Sequence, residues 1–280
     1  MTVQRIAAFS DAGQGGNPAG IVIADHFPPE AEMRRIAAEV GYSETAFAVP
    51  WGAADQWRVR YFSPESEVPF CGHATIALGA ALAGHSGEGR FELELNAATI
   101  SVEAAVSDKG YVAALQSPPT RSKAARPDLV AQALAMFGYS DEQLDSAVSP
   151  AEIHAGADHL VMALKHRSDL AAMRYDLAAG RDLMRRFGLV TIMLVHIRSD
   201  TGFDVRNAFA SGGVLEDPAT GAAAADFAGY LRDLGWPHGN RIFITQGEDM
   251  GEKSLIEAQF TDQPGSSIRV SGATRVIRQL

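Results

Sequence analysis

Three residues at the start of an apolar segment could carry out acid–base chemistry. The segment PFCGHATIALGAALAG, residues 69–84, opens with Cys71, Gly72 and His73. The unperturbed pKa of histidine lies near neutrality, so His73 could donate or accept a proton, although it could also only hydrogen-bond at the helix start. Cys71 could act as a thiolate or as a small buried apolar residue. Gly72 would let a ligand approach the backbone, where a helix N-terminus binds anions.

A second segment repeats this arrangement further along the chain. EDPATGAAAADFAGYL, residues 216–231, places Asp217, Thr220, Gly221 and Ala222 at the start of a helix rich in small residues. Asp217 could orient a substrate or carry a proton, and it could equally be a helix cap before proline. Two such helix N-termini facing one another would bind a carboxylate or an enolate.

Glu44 in GYSETAF is a candidate general acid or base. It lies in a strand-like run, where glutamate is not a favoured residue. A solvent-facing strand position would explain it without chemistry. A buried carboxyl would instead have a raised pKa and could shuttle protons in both directions. The sequence leaves both interpretations open.

Two further segments are weaker candidates. The glycines of GQGGNPAG suggest a turn, because the segment lacks the Gly-Lys-Ser/Thr ending of a phosphate-binding loop, and Asn17 within it could donate its amide to a ligand. His154 and His159 are not spaced as a His-Glu-x-x-His zinc motif. We therefore expect no metal site.

The elements that position these residues are mostly strands around two buried helices. In the first half of the chain, short runs in which apolar and polar residues alternate predict strands. The segment PPEAEMRRIAAEVG predicts a helix among them. Residues 117–128 (SPPTRSKAARPD) break both periodicities and predict a linker. The second half has candidate helices at RPDLVAQALAMFG and DLAAMRYDLAAGRDLMRRFG, followed by further strands.

The helices at residues 72–84 and 221–231 favour burial, the first because it has no polar face. Since each follows a phenylalanine, a loop and the pair Ala-Thr, we predict two similar α/β (α+β) units. Each wraps a mixed sheet or barrel around a central helix, with the matched loops meeting in a cleft. The predicted halves are residues 1–118 and 119–280, and a C-terminal strand at about 266–280 is expected to pack back on the first.

Composition narrows the possible partners. The chain has 280 residues and a formal net charge of -10, which disfavours binding to nucleic acid. No apolar run reaches the length of a membrane span, so we expect a cytoplasmic protein without membrane contact. A single cysteine cannot form an internal disulfide.

The segments GNPAGIVI, GYSETAF, RYFSPESEVPFCGHATIALGAAL, GADHLVMAL and EDPATGAAAADFAGYL together resemble the PhzF-like isomerases of phenazine biosynthesis, relatives of diaminopimelate epimerase. The resemblance implies two pseudo-symmetric halves, an active site in the cleft between them, a homodimer and no cofactor. It places the proton-shuttling glutamate at Glu44, the histidine at His73 and the aspartate at Asp217. Asn17, Cys71, Gly72, Thr220, Gly221 and Ala222 are then expected to bind a small carboxylated substrate.

Departures from the family pattern concern the substrate and the mechanism. Ala222 stands where the family often has serine, and Glu252 replaces a frequent arginine. Because Cys71 is the only cysteine, a two-thiol epimerase is excluded. The leading hypothesis is a cofactor-independent isomerase with Glu44 as general acid and base. The alternatives are an epimerase or racemase with a non-thiol base pair, and a non-catalytic small-molecule-binding protein.

Overall fold

The computed structural model describes residues 1–96, 98–108 and 110–277. These described residues form two compact units, one from residues 1–116 with 271–277 and one from residues 117–270. The last three residues of the strand expected at 266–280 lie outside the described ranges. None of the described helices is both long and apolar enough to cross a membrane.

The described residues of the first unit form two helices and a set of strands. The strands follow one another along the chain, except for the last, which comes from the C-terminal part. The helices are α1 (Glu30–Val40) and α2 (Gly72–Ser86). The strands are β1 (Gln4–Ala8), β2 (Asn17–Ile23), β3 (Thr45–Pro50), β4 (Gln56–Phe62), β5 (Glu67–Val68), β6 (Gly89–Glu94), β7 (Thr99–Ser107), β8 (Gly110–Gln116) and, from the C-terminus, β17 (Arg269–Val276).

Eight strands of this unit close into a barrel. The pairing runs β1-β2-β3-β4-β6-β7-β8-β17 and returns to β1. The apolar helix α2 lies inside and contacts β1, β2, β3, β6, β7 and β8. Residues 72–83 are all buried, as its uniformly apolar sequence predicts. Closure removes the sheet edges, and the barrel wall surrounds the helix on every side.

Helix α1 covers the outside of the barrel. Its buried residues Met33, Ile36 and Ala37 recur at helical spacing and pack against Phe47 and Phe62. The helix ends at Gly41, whose backbone is left-handed at φ 74°. Glycine tolerates this conformation, which a side chain would strain.

The second unit contains four α-helices and eight strands. The helices are α3 (Pro127–Phe137), α4 (Arg167–Ala171), α5 (Leu177–Phe187) and α6 (Gly221–Asp233). The strands are β9 (Arg121–Ala124), β10 (Ala151–His154), β11 (Asp158–Leu164), β12 (Thr191–Ser199), β13 (Gly202–Ala208), β14 (Glu216–Asp217), β15 (Arg241–Gln246) and β16 (Ser254–Gln259).

Its sheet follows the order β9-β10-β11-β12-β13-β15-β16, with β14 paired to β13. Helix α6 is buried along most of its length and contacts β9, β10, β11 and β16. Alternate side chains of β11 and β12, including Leu160 and Ile192, pack against α3 and α5. The mixed α+β plan with a barrel and a central helix confirms the predicted fold class.

Two predicted elements are wrong. The linker expected at residues 117–128 contains β9, which pairs antiparallel with β10, a strand that the sequence pattern also missed. The single helix expected at 169–188 is divided into α4 and α5. Asp176 caps α5 by accepting the N–H of Ala179 at 2.9 Å, and Tyr175 donates to the carbonyl of Leu215 at 2.5 Å. These contacts end the helical run that the periodicity alone favours.

We expect Gly79→Ala to lower the free energy of unfolding by about 1–3 kcal/mol, because overpacking a filled core forces its neighbours to move. An added Cβ at Gly79 would lie 2.6 Å from a Cγ2 atom of Val102 in the barrel wall. Gly84→Ala is the matched control on α2, since its Cβ would meet only Tyr111, at 3.6 Å. That variant should gain up to about 1 kcal/mol from helix propensity. Urea unfolding measures both, and equal shifts would contradict tight packing of α2.

Candidate functional site

The N-terminus of α2 is held by a chain of buried hydroxyl groups. Cys71 is the N-cap residue, with φ -143° and ψ 115°, and the helix begins at Gly72. The Cys71 carbonyl accepts the Thr75 N–H at 3.0 Å and the Thr75 hydroxyl at 2.7 Å. Because Thr75 uses its proton there, Tyr61 donates to the Thr75 oxygen at 2.7 Å. Burial raises the pKa of Tyr61, so its phenol keeps this proton.

Glu44, Cys71 and His73 lie together beside this helix end. Nε2 of His73 is 3.4 Å from Oε2 of Glu44, and Nδ1 of His73 is 3.3 Å from Sγ of Cys71. Ser43 also approaches, with its Oγ 3.5 Å from Nε2 of His73. The Glu44 side chain is 13% exposed and that of His73 is 7% exposed. A nearly buried carboxylate next to an imidazole can hold and transfer a proton with little competition from water.

Glu44 itself lies one residue before β3, so the strand begins one residue later than the strand-like run in which the sequence placed it. Its carbonyl accepts the N–H of Gly20 at 3.2 Å, which ties it to the neighbouring strand β2. The Glu44 side chain is 13% exposed, so it does not lie on a solvent-facing strand position. Asn17 begins β2 and is 2% exposed.

In the second unit, Asp217 lies on β14 before α6. The Thr220 hydroxyl donates to Oδ2 of Asp217 at 2.5 Å, so this carboxylate is oriented toward the helix start. Gln246 on β15 fixes the same turn. Its Nε2 donates to the Asp217 carbonyl at 2.7 Å and to Thr220 Oγ1 at 3.0 Å, while its Oε1 accepts the Thr220 N–H at 3.2 Å. Gly221 and Ala222 are the first two residues of α6.

A buried ion pair supports this turn from its other side. Arg206 on β13 donates Nε to Oε1 of Glu216 at 3.0 Å and Nη2 to Oε2 at 2.5 Å. The two side chains are 11% and 5% exposed. A bidentate pair of this kind fixes both position and angle, so it sets the backbone next to Asp217.

The two histidines considered as metal ligands, His154 and His159, each contact a different partner. Nδ1 of His154 lies 2.9 Å from Oδ1 of Asp158. His159 is fully buried on β11, where Nδ1 lies 2.7 Å from the hydroxyl of Thr191. Since Thr191 donates to Oδ1 of Asn207 at 2.8 Å, His159 is the donor to Thr191. His159 is therefore a core residue held by hydrogen bonds.

His159 faces a buried carboxyl on α6. Its Nε2 is 3.8 Å from Oδ2 of Asp226, and both side chains are 0% exposed. Burial lowers the pKa of His159 to about 3 and raises the pKa of Asp226 well above its ordinary value. Both groups are thus neutral when folded. Unfolding releases a proton from Asp226 above about pH 4, and adds one to His159 below about pH 6.5.

We expect Asp226→Asn to raise stability relative to the parent chain as pH increases from about 4 to 7. Asp226 has a raised pKa in the folded state. The parent chain is therefore fully stabilised by the neutral Asp226 below about pH 4. Above that pH, Asp226 ionises in the unfolded chain but not in the folded one, and the free energy of unfolding falls by up to about 1.4 kcal/mol per pH unit. Asparagine does not ionise, so the variant lacks this loss. Urea unfolding across the pH range measures the difference, with the exposed Asp182→Asn as control. A gain independent of pH would contradict a neutral Asp226.

Several residues of these sites were not singled out by sequence reasoning. They are Ser43, Tyr61, Thr75, Arg206, Glu216 and Gln246. A charged or amide side chain within a strand-like run, as at Arg206 in FDVRNAF and Gln246 in RIFITQ, was the available signal. Their partners lie elsewhere in the sequence, so their roles required the fold.

The architecture is that of the diaminopimelate epimerase-like and proline racemase-like folds. A probable proline racemase from Agrobacterium radiobacter K84 has a TM-score of 0.66 at 12% identity, covering 99% of this chain and 92% of its own. A phenazine biosynthesis protein of the PhzF family from Bacillus anthracis has a TM-score of 0.84 at 22% identity, covering 99% and 96%.

The sequence matches the family described as phenazine biosynthesis-like protein over residues 6–279. It is also 31% identical over 261 residues to the trans-2,3-dihydro-3-hydroxyanthranilate isomerase of Pseudomonas fluorescens, covering 91% of this chain and 88% of the relative. The chain belongs to the phenazine biosynthesis-like (PhzC-PhzF) family. It is an isomerase of that family.

Proposed function

We propose that this protein is a cofactor-independent isomerase that moves a proton between carbon atoms of a small carboxylated substrate. Glu44 is the general acid and base: its carboxylate removes a proton from one carbon, and the resulting carboxylic acid returns it to another. The observation that carries the proposal is the 13% exposed Glu44 side chain held 3.4 Å from Nε2 of His73. One group can serve both steps because the same carboxyl carries the proton between the two carbons. Since the Glu44 side chain keeps 13% exposure, the carried proton can also exchange with solvent.

His73 is proposed to orient the substrate and to exchange protons on its heteroatoms. It shares the first turn of α2 with Gly72, and no acidic residue lies in that turn. The first N–H groups of a helix lack intrahelical acceptors and lie at the positive end of the helix dipole. The start of α2 therefore favours a substrate carboxylate, or the negative charge that develops when Glu44 removes a proton.

Residues of the second unit are proposed as further substrate contacts. Asp217 and Thr220 are oriented by each other and by Gln246, and α6 likewise has no acidic residue in its first turn. Asn17 and Gly221 complete the proposed set. At Ala222 a hydroxyl is missing, so the substrate is expected to differ in one hydrogen bond from those of relatives that have serine there. The homodimer implied by the resemblance stays a prediction.

A second candidate function is an epimerase that pairs Cys71 with a non-thiol base. The distance of 3.3 Å between Sγ of Cys71 and Nδ1 of His73 favours it. Cys71→Ala separates the two candidates. The isomerase proposal expects turnover to fall by less than about tenfold, whereas loss of an essential base costs about 10²–10⁴-fold. Steady-state rates measure this, and a loss in the larger range would favour the epimerase.

Hydrogen exchange with solvent tests the proposed chemistry. The protein is incubated in D2O, without added cofactor, with trans-2,3-dihydro-3-hydroxyanthranilate, proline and trans-4-hydroxyproline in turn. Deuterium in a product that has isomerised, detected by NMR and mass spectrometry, is the expected result. Ligand-dependent thermal stabilisation without exchange or product would instead identify a non-catalytic binding protein.

A further inference from the structure

We infer that Glu44, Cys71 and His73 form an inhibitory binding site for a thiophilic divalent cation, with Zn²⁺ as the best fit. The three side chains offer a carboxylate oxygen, a thiolate sulfur and an imidazole nitrogen. Each is a common zinc ligand, and three protein ligands leave a fourth position for water or a substrate atom. Their donor atoms all lie within 4.8 Å of one another. His154 and His159, whose spacing does not fit a zinc motif, are not part of this site.

The two separations measured from Nε2 of His73 are close to those of a tetrahedral zinc site. Zinc bonds of about 2.0–2.3 Å at tetrahedral angles place neighbouring donor atoms about 3.3–3.7 Å apart. Nε2 of His73 is 3.4 Å from Oε2 of Glu44 and 3.9 Å from Sγ of Cys71. Sγ of Cys71 is nearer to Nδ1 of His73 than to Nε2, so the Cys71 side chain must rotate toward Nε2 for all three donors to reach one cation.

Rigid elements hold the ligands in place. Cys71 and His73 lie at the start of the buried helix α2, and the Cys71 carbonyl accepts two hydrogen bonds from Thr75. Glu44 is tied to β2 through Gly20. A cation would therefore bind to ligands that the fold already holds in position. The Cys71 thiol loses its proton to solvent as the sulfur binds the cation, and one thiolate and one carboxylate then neutralise the divalent charge.

Occupancy of this site blocks the proposed chemistry. A Glu44 oxygen that is coordinated to a cation cannot accept a proton from carbon. This inhibition rests on the proposed function, whereas cation binding does not. The two claims therefore need separate measurements.

Binding is measured first, on the full chain, with Co²⁺ as a spectroscopic probe and Zn²⁺ by calorimetry. A thiolate-to-cobalt charge-transfer band and one equivalent of Zn²⁺ are expected. Cys71→Ser should abolish the band. Since loss of a supporting partner costs about 10–100-fold in metal affinity, loss of a ligand should weaken Zn²⁺ binding by at least about 100-fold.

Two further variants keep the result interpretable. Glu44→Gln preserves size and should also weaken Zn²⁺ binding, which covers the case in which Cys71→Ser does not fold. His154→Ala removes a histidine outside the site and should bind Zn²⁺ like the parent chain. An absent cobalt band, or equal affinity in the parent, Cys71→Ser and Glu44→Gln proteins, overturns the inference.

Inhibition is then measured as the ratio of deuterium exchange with and without Zn²⁺. We expect at least a tenfold decrease in the parent and in His154→Ala, reversed by a chelator. Exchange that persists with the site occupied overturns the inhibitory role. Zinc binding without any exchange in the metal-free protein would instead contradict the proposed isomerase, and exchange without zinc binding would contradict only the cation site.

Discussion

Glu44→Gln is expected to lower turnover and solvent deuterium incorporation by about 10²–10⁴-fold, the usual contribution of a general acid or base. Glutamine keeps the shape of the side chain but carries no proton that it can give and take. The Glu44 carboxylate is nearly buried beside His73, so few water molecules can replace it. Deuterium incorporation measures the proton transfer directly and does not depend on which step limits turnover.

The matched control is Glu39→Gln on α1, where the side chain is 62% exposed and pairs with Arg35. That variant should exchange hydrogen at the parent rate. Glu44→Asp adds a second comparison, because it retains a carboxyl group but shortens the side chain by one methylene. It should recover part of the activity lost in Glu44→Gln. Undiminished exchange in the glutamine variant would remove Glu44 from the mechanism.

Arg206→Met is expected to lower the free energy of unfolding by about 3–5 kcal/mol. Removing one partner of a buried ion pair leaves the other charge without compensation. Glu216, which is 5% exposed, would then be a buried carboxylate without its guanidinium. Arg206 also donates Nη1 to the carbonyl of Ala171 at 2.9 Å, so the C-terminal end of α4 loses a donor as well.

Two comparisons isolate the burial effect. Arg35→Met breaks the exposed pairs with Glu32 and Glu39 and should lower the free energy of unfolding much less, because surface ion pairs contribute little. The double variant Arg206→Met/Glu216→Leu should be more stable than Arg206→Met alone, because no charge remains buried. Urea unfolding at one pH measures all three. A cost for Arg206→Met no larger than for Arg35→Met would show that the pair is not desolvated.

The elements that the sequence predicted well are those with a strong local signal. The helix predicted at residues 72–84 was expected to be buried because it has no polar face, and residues 72–83 do lie buried within the barrel. Most strands showed alternation or a continuous apolar run. Failures occurred where a distant partner decides the conformation. β9 is polar and forms a strand because β10 pairs with it, and α4 and α5 separate around Tyr175 and Asp176.

By itself, the sequence determined which residue types could carry out the chemistry. They are one cysteine, a histidine two positions later at the N-terminus of an apolar helix, and a glutamate in a strand-like run. It could not place Glu44 beside His73, because periodicity describes one element at a time and the two residues lie on different elements. The tertiary structure decided that proximity by pairing β2 with β3 and enclosing α2 in the same barrel. It also decided that His159 is a neutral core residue, because burial is a property of the packed chain and not of the local sequence.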